Sequence, residues 1–75
     1  MYKQINIGEE IQKEMENQNI GATVMAKKID TNRRHIYRIF EKNSIDTELL
    51  FKVSKVLKHD FFKLYSDKLS ENEAA

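Results

Sequence analysis

Proline is absent from this chain, and glycine occurs only twice, at Gly8 and Gly21. Tight β-hairpins are built on Gly, Asn-Gly or Asp-Gly turns, and no such turn occurs here. The chain therefore reads as helical throughout. Its 75 residues allow one domain. An apolar content of 40% supplies one small core and is too high for a disordered chain. No cysteine is present, which removes disulfides and cysteine-ligated metals from consideration and fits a reducing compartment. No apolar run approaches the roughly 18–20 residues of a membrane helix. The opening Met-Tyr-Lys-Gln-Ile-Asn-Ile-Gly soon turns acidic, unlike a secretory leader. These features predict a small, all-α, cytoplasmic domain.

Five helical segments can be placed. The first spans about 7–18, with Asn6 as N-cap and Glu9 three residues on, a capping-box spacing. Ile7, Ile11 and Met15 form its apolar stripe. The second spans 22–29 or 23–29, with Val24, Met25 and Ile29 facing inward and a small Ala26 that lets another helix come close. Asp30 and Thr31 make a short turn. The third spans 33–42 behind the N-cap Asn32. The fourth spans 47–57 behind Asp46, with Leu49, Leu50, Val53, Val56 and Leu57 at the spacing of a strongly buried helix. The fifth spans 61–69 behind Asp60. Residues 1–6 then form an N-terminal arm and 70–75 a flexible acidic tail around a domain of 7–69.

Net charge is only +1, but residues 22–42 alone carry +4, and all three arginines lie within six residues. With 100° steps along the third segment, Tyr37, Glu41, Arg34 and Arg38 occupy an arc from about 40° to 140°. Ile39, Ile36 and Phe40 occupy the other side, from about 240° to 340°. Charge alone fits a solvated helix face better than a binding surface. A short helix, a tight turn and a second helix opening with basic residues is nevertheless the layout of a helix-turn-helix. In that layout the first helix braces the second, whose outer face enters the DNA major groove. Arginine suits the task because its fork reaches O6 and N7 of guanine together.

The stretch Ala-Thr-Val-Met-Ala-Lys-Lys-Ile-Asp-Thr-Asn-Arg-Arg-His-Ile-Tyr-Arg-Ile-Phe-Glu, residues 22–41, resembles the helix-turn-helix of Cro/C1-type phage repressors, the XRE-like regulators. Ala26, Ile29, Ile36, Ile39 and Phe40 carry the likeness. The continuation through Ser-Ile-Asp-Thr-Glu-Leu-Leu and His-Asp-Phe-Phe is similar to small Bacteroidetes members, so the resemblance covers about residues 7–66. It implies a compact five-helix, phage-repressor-like domain. It also implies that Arg33, Arg34, Tyr37 and Arg38 read bases, and that Thr23, Asn32, Lys42, Asn43 and Ser44 follow the DNA backbone. The family usually has glycine where Asp30 stands. That position often needs a positive φ, which aspartate tolerates better than most residues.

Other residues read more plainly. Lys27 and Lys28 fit solvated helix charges, and Glu9, Glu10, Glu14 and Glu16 fit the outer face of the first helix. His35 and His59, on separate segments, fit structural roles better than metal ligation. Phe51, Phe61, Tyr65 and Leu69 form a candidate dimer face, matching the end through which family dimers associate. Closing the core is an equal alternative for all four. The expectation is a sequence-specific regulator of double-stranded DNA, acting as a repressor and as a homodimer, in a bacterial or phage-derived, nucleoid-associated setting. The alternative is a protein-interaction module, such as an antitoxin or phage-encoded adaptor, on the same fold. No enzyme activity, metal, cofactor, small-molecule ligand or membrane partner is expected.

Overall fold

A computed structural model describes residues 4–74 of the chain, with side chains for 4–70. Five helices follow in order: α1 (Ile7–Asn17), α2 (Ala22–Lys28), α3 (Arg33–Phe40), α4 (Thr47–Leu57) and α5 (Phe62–Ala74). No strand occurs among the described residues. α3 packs against α2 and α1, and α1 also packs against α4. Ile7, Ile11 and Met15 of α1 meet Met25, Ala26, Ile36, Ile39, Leu50, Val53 and Leu57 in a single buried cluster. Residues 1–3 of the expected arm and Ala75 lie outside the described residues.

A chain this poor in glycine must end its helices some other way. Asn19, Asp30 and Lys58 all take positive φ, at 58°, 60° and 52°. After α1, Asn19 N–H donates to Glu16 C=O and Ile20 N–H to Met15 C=O. After α2, Asp30 N–H donates to Lys27 C=O and Thr31 N–H to Ala26 C=O. After α4, Lys58 N–H donates to Lys55 C=O and His59 N–H to Ser54 C=O. Each pair satisfies carbonyls that a helix end leaves open, in the pattern usually served by glycine at the left-handed position. The expected left-handed turn at Asp30 is present.

Gly8 is spent on close approach instead. Its N–H donates to Lys42 C=O at 3.0 Å, and Ile7 N–H donates to Asn43 C=O at 3.4 Å. A Cβ on Gly8 would meet the Phe40 carbonyl oxygen at 2.6 Å and the Ile39 carbonyl oxygen closer still. The start of α1 is thus seated backbone-on-backbone against the end of α3. This corrects the capping expectation at Asn6, whose side chain makes no cap bond. The Asn6 carbonyl takes the Glu9 and Glu10 N–H groups, and the Ile7 and Gly8 N–H groups go to the segment after α3. All four donors are used, so none is left for a side chain.

Three further expectations change. Val24 is 49% exposed rather than inward. Met25, Ala26 and Ile29 hold the buried arc of α2, and Val24 falls opposite it at 100° per residue. Phe61 does not open α5; it stands in the turn before it and is 1% exposed. α5 also runs on to Ala74, through the segment expected as a tail. The Asn32 and Asp46 caps are present: Asn32 Oδ1 accepts from His35 N–H at 2.9 Å, and Asp46 Oδ1 from Leu49 N–H at 2.8 Å.

Candidate nucleic-acid interface

α3 is short and strongly two-sided. Ile36 and Ile39 are each 1% exposed, and Phe40 packs partly buried against the same core. Arg33, Arg34, Tyr37 and Arg38 are all exposed on the remaining surface. Asn32 fixes the first turn through its cap. Thr31 Oγ1 and His35 Nδ1 lie 2.9 Å apart, a hydrogen bond that ties the turn after α2 to the first turn of α3. α2 lies against α3 through Met25, Ala26 and Ile29. The outer face of α3 is therefore held by a cap, a turn bond and a packed neighbour.

No carboxylate pairs with Arg33, Arg34 or Arg38 among the described residues. Three guanidinium groups on one exposed face present fork-shaped donors with no internal partner. The Tyr37 ring meets the Phe40 ring edge-on, with centroids 5.9 Å apart and planes at 81°. That contact orients a half-exposed phenol beside the arginines. Glu41, at the C-cap of α3, is the acidic residue expected on this arc.

The expected backbone contacts fall in two places. Thr23 is exposed on the first turn of α2. Lys42, Asn43 and Ser44 form the exposed segment after α3. The Lys42 and Asn43 carbonyls are held by α1, so this segment is pinned at its backbone while its side chains stay exposed. Asn32 is exposed, but its carbonyl oxygen is engaged in the cap, leaving its amide NH2 to donate.

The candidate dimer face does not stay together. Phe61 is withdrawn from it, because its side chain fills the core. Phe51, 54% exposed, borders a depression with Phe62 and Lys55. Tyr65 and Leu69 instead line a groove of about 400 Å³ with Ile5, Asn43 and Ser44. Burial pushes the Tyr65 phenol above its usual value.

The histidines have local roles. His35 makes the turn bond, and His59 Nδ1 lies 3.6 Å from Glu14 Oε1 and stacks at a tilt on Phe61. Gln18 Nε2 donates to Glu14 Oε2 at 2.7 Å and to Leu57 C=O at 2.6 Å, linking the ends of α1 and α4. Sequence reasoning passed over this link; periodicity carries no signal for a polar side chain reaching a distant carbonyl. Among the described residues, no group of three or more His, Asp or Glu could hold a metal. No helix there is long and apolar enough to cross a membrane. Comparison with family models, curated proteins and solved structures gives no match.

Proposed function

We propose that this chain is a sequence-specific double-stranded DNA-binding regulator that reads the major groove with α3 and represses by occupying its operator. The observation that carries the reading is the outer face of α3. Three unpaired arginines and an oriented tyrosine stand on one side of a helix whose other side is locked into the core. Arginine forks reach two acceptors on guanine, and a helix has the width the major groove admits. The left-handed Asp30 turn and the α2 contact support the helix-turn-helix assignment of α2 and α3.

In this reading Arg33, Arg34, Tyr37 and Arg38 contact base edges. Thr23, Asn32, Lys42, Asn43 and Ser44 donate to phosphates and set the register of α3 in the groove. The experiment is fluorescence anisotropy with random and selected duplexes over a salt series. Affinity that favours particular sequences and falls steeply with salt supports the reading, since each neutralised phosphate releases counterions. Binding that is absent, or equal for all duplexes at low salt, overturns it.

A further inference from the structure

A second cationic surface lies where α4 meets the end of α2 and the start of α5. Its chemistry differs from that of α3. One depression, of about 390 Å³, is bordered by Phe51, Lys55, Lys58 and Phe62. A neighbouring one, of about 330 Å³, is bordered by Lys28, Ile29, Lys52, Lys55 and Val56. Lys55 belongs to both, so the two depressions adjoin at its side chain.

Four lysines line this corner against two aspartates, Asp30 and Asp60. Lys28, Lys52, Lys55 and Lys58 have no ion-pair partner among the described residues. Phe51 is 54% exposed and Phe62 38%. The Lys55 ammonium lies 5.6 Å from the centroid of the Phe51 ring, so charge and apolar surface are presented together. Ser54 lines the same depression, and its hydroxyl has no hydrogen-bond partner.

We infer that this corner docks an acidic, amphipathic segment of a partner protein. Charge complementarity selects the occupant. Apolar side chains of the segment seat between Phe51 and Phe62 and against the partly buried Val56, while its carboxylates meet the lysines at the rim. Anchors at i, i+3 or i+4 on a helix suit two adjacent depressions. DNA phosphates would satisfy the lysines but leave both phenylalanine rings without a partner. The inference stands independently of what α3 binds, because no outward residue of α3 lines the corner.

The test uses the full chain, 15N-labelled, and a fluorescein-labelled peptide of about 16 residues with Phe and Leu at helical i, i+3, i+4 and i+7 spacing and Asp or Glu elsewhere. Binding is expected to shift the amide signals of residues 51–62 and Lys28. Phe51→Ser and Lys55→Glu, both at exposed positions, should each weaken peptide binding roughly tenfold or more. An isomer with the apolar residues scrambled should bind weakly. The inference is overturned if the peptide does not bind, if both variants bind it unchanged, or if its shifts fall on residues 33–38. It is equally overturned if duplex DNA produces the shifts at 51–62, or if a second copy of the chain occupies the corner in sedimentation equilibrium and Phe51→Ser abolishes that pairing. Failure of these arms leaves the duplex anisotropy of α3 to be judged separately.

Discussion

The outer face of α3 and the α4–α5 corner are both cationic, and both leave their cations without carboxylate partners. Their side chains make them unlike surfaces. α3 presents arginines and a tyrosine, which donate hydrogen bonds at fixed angles. The corner presents lysines and phenylalanines, which offer point charges and apolar area with little angular demand. The first combination suits the edges of bases; the second suits an acidic segment that also buries apolar groups. Net charge by region cannot separate the two. The identity of each cation and of its aromatic neighbour can.

Both surfaces hang on one frame, and the largest expected effect tests that frame. Gly8→Ala places a methyl group against the Ile39 and Phe40 carbonyls. The start of α1 must then move off α3, with a loss of about 3 kcal/mol or more. Thermal denaturation should show a melting temperature lower by roughly 15 °C. A fall of only a degree or two would mean that α1 shifts cheaply and that the two surfaces do not share a rigid support.

The next effect separates the surfaces at equal cost to the fold. Asn32→Ala and Asp46→Ala each remove one side-chain N-cap and should each cost about 1 kcal/mol in urea denaturation. Only Asn32→Ala should also weaken duplex binding, because Asn32 caps the helix that carries the arginines and, in the proposed reading, also donates its amide to a phosphate. Equal losses of DNA affinity in both variants would show that global stability, and not the set of α3, governs binding.

A smaller effect runs in the opposite direction. Lys58 holds a left-handed conformation that costs a residue with a Cβ roughly 1 kcal/mol. Lys58→Gly should therefore stabilise the fold by about 0.5 kcal/mol, part of the gain being offset by the greater freedom of glycine in the unfolded chain. The same change removes a lysine from the corner, so acidic-peptide affinity should fall while duplex affinity stays level. The smallest effect concerns Tyr65. Its folded value is raised above 10.0 by burial, so the fold favours the neutral phenol. Its contribution is fully present below pH 10 and is lost as pH rises through the folded value, because the unfolded chain ionises first. An alkaline stability series should fall less steeply for Tyr65→Phe than for the parent chain.

Features determined within a few residues were legible in the sequence. The two faces of α3, the Asn32 and Asp46 caps and the buried stripe of α4 all follow from spacing or from residue type, whereas the left-handed turn at Asp30 is expected only from the resemblance. Features fixed by distant backbone were not. Asn6 makes no side-chain cap because the segment after α3 takes two of the donors, a contact made across 35 residues of chain. The requirement for glycine at position 8 comes from that same contact. For Phe61 the sequence leaves core and dimer face open, because two adjacent phenylalanines at a helix start give no periodic signal of which one plugs the core; its burial decides for the core. Val24 was legible but misread, since a seven-residue helix has a single narrow buried arc. The sorting of Phe51 away from Tyr65 and Leu69 depends on how α4 and α5 meet, which no pattern along one helix records.

The central claim is that the outer face of α3 reads base sequence. Its most direct test is duplex anisotropy of Arg34→Ala plus Arg38→Ala against the parent chain, on a duplex selected by the parent and at one fixed salt concentration. Both side chains are exposed and unpaired, so the fold should melt as the parent does. Affinity for the selected duplex should drop about a hundredfold, towards the level for random DNA. A double variant that binds the selected duplex as tightly as the parent, with its preference intact, would contradict the assignment of α3 as the reading helix.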